Sequence, residues 1–343
     1  MAIQLLEKIK SELLKEKNPP KIIFPEGEEE RIIEALKEIL ENNICSPILV
    51  GEKEKILSLL SLKLSAEEIE KITIIEPKNS EKLSLYAQIY AQLKGLSPAV
   101  AEKIILHPLF FSALALKNGD VDGMVAGAIY TSGEVIAVSK ELINLAEGIT
   151  LPSAFFLMTK TGSPYGENGA LMFADASVNI NPNEEELAQI AVVSGETAKT
   201  LFGWQPRVAL LSFSTKGSAQ HPLADKVVRA TQLAQQLNPE MAIDGELQGD
   251  AALEEEVAKR KIKEPSSVAG KANVLIFPDL DAANIAYKLV HVLGEYQALG
   301  PILQGFKKPL SDLSRGVKPS EIVNITAIIS YWALQKKIKI RRI

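Results

Sequence analysis

Residues 21–51 read KIIFPEGEEERIIEALKEILENNICSPILVG. Lys21-Ile22-Ile23-Phe24 is a short apolar run that reads as a buried strand. Pro25-Glu26-Gly27 follows it as a turn, and Glu28 to about Glu41 reads as a helix. Ser46-Pro47-Ile48-Leu49-Val50-Gly51 is a second strand. Short apolar strands that alternate with helices specify βαβ units and a mainly parallel sheet. The alternation continues. Ile72–Ile75 is a third strand and Val121–Ala128 a fourth that ends in glycines. Helical stretches are expected at 3–16, 54–62, 81–118 and 133–145, the third punctuated by Gly95, Pro98 and Pro108.

A second series begins after Gly148. Leu151–Met158, Ala170–Phe173, Arg207–Ser212 and Ala272–Phe277 read as strands. Asn181-Pro182-Asn183-Glu184-Glu185-Glu186 opens a helix with asparagine and acidic residues in its first turn. Further helices are expected after Ser218 to about Gln236 and over 282–294. No short-period repeat or low-complexity linker interrupts the chain. The expectation is two α/β domains with a cleft between them. Open α/β sheets bind ligands at the carboxyl ends of their strands.

The totals narrow the function. A chain of 343 residues, 46% apolar, suits about two domains with sizeable cores. A net charge of -5 and a pI near 5.5 argue against nucleic acid as a partner. Cys45 is the only cysteine, so no intrachain disulfide can form, which fits a reducing cytoplasm. Glu7, Lys8, Lys10 and Glu12 break the N-terminal apolar pattern, so it is not a signal peptide. No apolar run is long enough to span a bilayer, and no membrane partner is expected. One cysteine with His107, His221 and His291 does not support a zinc cluster.

Three loops carry the candidate chemistry. Gly127-Ala128-Ile129-Tyr130-Thr131-Ser132-Gly133 ends a strand with backbone N–H groups and two hydroxyls. Ser212-Phe213-Ser214-Thr215-Lys216-Gly217-Ser218 ends another and adds an ammonium. Neither fits the phosphate-binding P-loop, and no dinucleotide glycine fingerprint follows a strand. The third loop is Ser314-Arg315-Gly316, with Pro319 suited to the first position of a helix. Ile322, Ile325, Ile329 and Trp332 then recur at helical spacing. A hydroxyl and a guanidinium thus precede a helix N-terminus, which attracts anions. Three such loops favour a phosphate-like ligand. Asp244–Asp250 is a polar, acidic strand end, but no second cluster completes a metal site there. His221-Pro222 reads as a helix start rather than a general base, and His107-Pro108 as the end of one helix and the start of the next.

Taken in order, Ala174-Asp175, Asn179–Pro182, Ala209–Ser218, Ile243–Asp250, Ala269–Asp279, Gly300–Gly305 and Asp312–Gly316 resemble the phosphate acetyltransferase family. The likeness runs from about Ile22 to Ala327. It implies two three-layer α/β/α domains with mainly parallel sheets, similar to isocitrate and isopropylmalate dehydrogenases, with the active site in the interdomain cleft. The first domain would be discontinuous, 1–150 with 305–343, and the second would be 151–304. The family interconverts acetyl-CoA and acetyl phosphate, with coenzyme A as substrate, no metal or other cofactor, and typically a homodimer. By resemblance Ser314, Arg315 and Glu321 are catalytic. Thr131, Ser132, Gly133, Ser214, Thr215, Lys216, Gly217 and Ser218 would bind phosphate or coenzyme A.

Chemistry gives these residues a reason. A thiol of pKa about 8.5 needs a base, the oxyanion needs donors, and phosphate needs cationic partners. The sequence departs from the family at three places. Glu321 stands where an aspartate serves as base, Ala137 where an arginine contacts coenzyme A, and the helix at 83–95 lacks a second arginine. Lys94 or Lys140 could hold the nucleotide instead. The rival readings are a phosphate butyryltransferase acting on longer acyl groups, a non-catalytic sensor of acetyl-CoA or acetyl phosphate, and, with least support, a decarboxylating dehydrogenase.

Overall fold

A computed structural model describes residues 2–341. The chain divides into two compact units, one formed by Leu6–Ala146 and the chain from Phe306 onward, the other by Glu147–Gly305 with the first residues of the chain, through Leu5.

In the first unit the strands are β1 (Lys21–Phe24), β2 (Ser46–Val50), β3 (Thr73–Ile75) and β4 (Gly123–Ala126). Within the second are β5 (Ser153–Thr159), β6 (Ala170–Ala174), β7 (Arg207–Leu211), β8 (Ala242–Leu247), β9 (Val274–Ile276) and β10 (Gln297–Gln304). The chain then returns to the first unit as β11 (Leu310–Asp312).

The sheet of the first unit runs β3-β2-β1-β4-β11, and every pairing is parallel. Its central strands are apolar without alternation because helices cover both faces. Glu30–Glu41 packs with the long helix Pro319–Arg341, and Pro108–Asn118 with Ser132–Leu142. The first of these turns Ile32, Ile33, Ala35, Leu36 and Ile39 inward, a stripe at helical spacing. Cys45 lies buried in this core, which pushes its thiol up and leaves it without thiolate character. The stretch 81–118, expected as mostly helical with breaks at Gly95, Pro98 and Pro108, is three helices, Leu83–Lys94, Pro98–Ile105 and Pro108–Asn118, each restarted at a proline or stopped at a glycine. His107 caps the third of these.

The second unit runs β10-β5-β6-β9-β7-β8. Here β6, β9, β7 and β8 pair in parallel, but β5 is antiparallel to both neighbours. Successive residues of β5 feed two cores: the Phe155 ring meets Phe202, and Phe156 stacks on Tyr287 at 4.1 Å between ring centres. Strands β10 and β11 were not expected from the sequence. In β10 the dipeptide Gly300-Pro301 coincides with a register shift between Leu299 and Ile302, which breaks the strand pattern. Three-residue β11 holds Ser311 and Asp312, whose polarity hides a buried strand.

Among the described residues no single helix is long and apolar enough to cross a membrane.

Candidate active site

In the first unit, the carboxyl ends of β1, β4 and β11 lie side by side, with Ile23 opposite Met124 and Asp312 opposite Ala126. Two loops leave this edge: 127–131 after β4 and 313–318 after β11. Glu26, just past β1, holds the first. Its carboxylate accepts the N–H groups of Gly127 and Ala128 at 3.0 Å and of Ile129 and Tyr130 at 2.7 Å. Burial pushes this carboxyl up, and the four N–H donors pull it back. Arg31 ties the two loops together. Its guanidinium donates to the carbonyls of Ala128 at 2.8 Å and Arg315 at 2.6 Å, while Glu29 steadies it at 2.5 Å.

Close approach explains Gly127. At φ +104°, a Cβ there would sit 2.6 Å from the Leu313 backbone. The Leu313 N–H donates to the Ala126 carbonyl at 2.5 Å.

Ser314 and Arg315 are exposed on the second loop. The Arg315 carbonyl is held by Arg31, whereas its guanidinium has no hydrogen bond or ion pair among the described residues. The Ser314 hydroxyl accepts the Gly316 N–H at 3.3 Å, and its carbonyl accepts the Val317 N–H. Glu321 lies in the first turn of Pro319–Arg341, where its Oε2 accepts the Lys318 N–H at 2.8 Å. This is half of a capping box, so one carboxylate oxygen already serves the helix. Thr131 and Glu134 form a complete capping box on Ser132–Leu142, leaving Ser132 and Gly133 exposed at its first turn.

Asp312 lies beneath both loops with 0% exposure. Neither of its carboxylate oxygens has a hydrogen-bond partner among the described residues. Burial pushes the carboxyl up to about 6, and the neighbouring Glu26 charge adds to the rise. The Ser132 hydroxyl pulls it down, at a geometry short of a formed hydrogen bond.

The other candidate loop, Ser214–Ser218, belongs to the second unit and is bound to its own surroundings. Ser214 and Thr215 are buried. Glu246 accepts the Ser214 hydroxyl and the Gly217 N–H, both at 2.8 Å, and Thr215 bonds Gln248. Lys216 pairs with Asp244 and donates to the Gly245 carbonyl at 2.9 Å. The exposed surface of this loop is Lys216, Gly217 and Ser218. The acidic run 244–250 thus organises a loop: Asp244 takes Lys216 and Ser266, Glu246 takes Ser214, and Asp250 takes Lys261. Among the described residues no His, Cys, Asp and Glu group is placed to hold a metal ion. His221 is a helix cap, its Nδ1 accepting the Leu223 N–H at 3.2 Å.

Ala137 is exposed on the outer face of Ser132–Leu142. Lys94 pairs with Glu141 at 3.2 Å, while Lys140 is exposed. Glu26, Arg31 and Asp312 have no role assigned from sequence. The position of Glu26 in a Pro-Glu-Gly turn after the first strand was the one signal available. Asp312 carried one more, as the first residue of the family-like run Asp312–Gly316.

Residues 4–330 match the family model described as phosphate acetyl/butaryl transferase. A phosphate acetyltransferase from Clostridium acetobutylicum is 46% identical over 90% of this chain and 92% of its own. Another from Thermoanaerobacterium thermosaccharolyticum is 46% identical over 96% and 98%. A phosphotransacetylase structure from Streptococcus pyogenes superposes with a TM-score of 0.89 at 37% identity, covering 97% of this chain and 99% of that one.

Proposed function

The chain belongs to the phosphate acetyl/butaryl transferase family, and we propose that its acetyl exchange between coenzyme A and phosphate takes place at the exposed Ser314–Arg315 loop. It is an acyltransferase. The observation that carries the site is the asymmetry at Arg315: the backbone is tied down by Arg31 while the guanidinium stands unengaged. A fixed cation of this kind can meet a phosphate or an oxyanion without first reorganising.

Toward acetyl-CoA, the thiol of coenzyme A gives its proton to the free carboxylate oxygen of Glu321. The thiolate attacks the carbonyl carbon of acetyl phosphate, the C–S bond forms, and the carbonyl electron pair moves onto oxygen. The Ser314 hydroxyl and the Arg315 guanidinium hold that oxyanion. As the pair returns, the C–O bond to phosphate breaks, and phosphate leaves against Arg315 and the N–H groups at the start of Ser132–Leu142. Each charge that develops is met by a residue of the chain, so this route needs no metal, and coenzyme A enters as a substrate. The exposed Lys140 is the cation we assign to its nucleotide, since Lys94 is paired. In the second unit, Lys216, Gly217 and Ser218 present the exposed polar surface proposed for the same substrates.

Two coarser features complete the proposal. The helix Leu280–Gly294 exposes Ile285, Leu289, Val292 and Leu293, each more than half accessible, which supports a homodimer. A lone buried thiol supports residence in the reducing cytoplasm.

The test is acetyl phosphate-dependent acetyl-CoA formation with a chelator present and no metal added, repeated with butyryl phosphate. The parent should turn over acetyl phosphate faster. Ser314→Ala and Arg315→Ala should each lower kcat about 100- to 1,000-fold with unchanged melting. Near-parental rates in both variants would remove the assigned site.

A further inference from the structure

Asp312 stands apart from every other carboxylate near the loops. Glu26 has four N–H donors, Glu134 caps a helix, Glu29 holds Arg31, and Glu321 holds the Lys318 N–H. Asp312 is more deeply buried and has no formed bond. An unpaired polar group of this kind is costly, so its retention in the interior calls for a reason. Its position supplies one. It ends β11, two residues before Ser314, and its Oδ1 occupies the space that a Cβ would need at Gly127, the residue that begins the 127–131 loop. It therefore touches the root of both loops at once, and the side chain that influences it across the gap is Ser132.

We propose that Asp312 is a positioning residue for acyl transfer: its carboxylate draws the Ser132 hydroxyl inward and so fixes the start of Ser132–Leu142 relative to the strand that delivers Ser314 and Arg315. This inference rests on the assignment of Ser314 and Arg315 as the reacting pair. Being fully buried, Asp312 touches no substrate and acts through Ser132 and the Leu313 backbone. The charged groups on the elements that adjoin it are Glu26 beyond β1, Glu134 on Ser132–Leu142, Arg315 of the following loop with Arg31 and Glu29 behind it, and Lys318 and Glu321 at the start of Pro319–Arg341. Of these, Glu26 acts on its titration, and it favours the protonated form. Protonation removes the negative charge that attracts the Ser132 hydroxyl. Loop positioning, and with it turnover, is therefore lost as pH falls past the Asp312 titration.

The experiment measures kcat and KM for acetyl phosphate and coenzyme A from pH 5 to 8. The proteins are the parent, Asp312→Asn, Ser132→Ala and Arg315→Ala. The parent should show an acid limb near pH 6. In Asp312→Asn, kcat should fall roughly 10- to 100-fold, the scale of a small misplacement of reacting groups. That limb should vanish and both KM values should change little. In Ser132→Ala the limb should likewise vanish, because no hydroxyl is left for the Asp312 carboxylate to draw in. A purely structural Ser132 would leave it in place. An Asn variant with parental kcat, or a limb retained in Ser132→Ala, overturns the proposal. If Asp312→Asn does not fold, the limb in Ser132→Ala decides alone. Arg315→Ala separates the two claims: a near-parental rate there sinks the site assignment, whereas a retained limb in Ser132→Ala sinks only the role of Asp312.

Discussion

Asp312 also has a consequence for stability. Its carboxyl is pushed up from the ordinary carboxylate range to about 6, so the folded chain holds this proton more tightly than the unfolded chain does. The stability this adds is complete below the unfolded pKa and is lost as pH rises through 6. Relative to Asp312→Asn, which does not titrate, the parent should lose ~2 kcal/mol between pH 4 and pH 7. Denaturant melts of the two proteins at both pH values check this, and a difference independent of pH would contradict it. Glu26 behaves in the opposite way on substitution. Glu26→Gln puts an amide donor against backbone N–H groups that a carboxylate now accepts. Leaving buried donors unpaired costs about 1–3 kcal/mol each. The variant should melt lower and lose turnover, because the 127–131 loop loses its anchor.

The elements that matter most for the site are the shortest ones. β11 is three residues long, yet it brings Ser314 and Arg315 beside β4. Gly127→Ala tests how tightly those two strand ends meet. The left-handed backbone alone costs about 1–3 kcal/mol in a non-glycine residue, and the added methyl collides with the Leu313 backbone. A marked drop in both melting temperature and turnover is expected, and an unchanged melt would contradict the close approach. The Pro319–Arg341 helix supplies a second test. Glu321→Gln keeps an oxygen for the Lys318 N–H and loses charge at the helix end, a cost of about 0.3–1 kcal/mol. As the base it should lose most of its turnover, and the deficit should shrink toward pH 8.5, where free thiolate replaces base assistance. Glu321→Asp should keep a substantial part. A Gln variant fully active at neutral pH removes Glu321 from the mechanism.

The same elements show what a sequence reveals. Strands such as Lys21–Phe24 and Arg207–Leu211 announce themselves because burial on both faces requires an unbroken apolar run. β11 does not, since Ser311 and Asp312 are buried for reasons other than hydrophobicity. Ser314 and Arg315 were legible because their type and order form a motif. Glu26 and Arg31 were not, because they act on main-chain atoms of residues about a hundred or more positions away, and such targets leave no trace in local sequence. Lys216 read as a free cation from sequence, and its pairing with Asp244 appears only when β7 and β8 lie side by side.

For the molecule as a whole, the proposed dimer can be tested on the exposed stripe of Leu280–Gly294. Leu289→Glu with Val292→Glu should yield folded monomers by sedimentation and circular dichroism, because within one chain both side chains face solvent. A double variant that remains dimeric would move the interface elsewhere. The path of the chain has a further consequence, which concerns synthesis. Apart from the first few residues of the chain, the second unit is one stretch, Glu147–Gly305, whereas the first unit needs both early and late segments. Leu145 bridges Phe306, and β4 waits for β11. Domains fold as units while the chain emerges. The middle of the chain can therefore reach its final form on the ribosome while the residues before it still lack their fifth strand. The proposed reacting pair, Ser314 and Arg315, comes into place only with the last stretch translated, so a truncated product would carry a finished second unit without that pair.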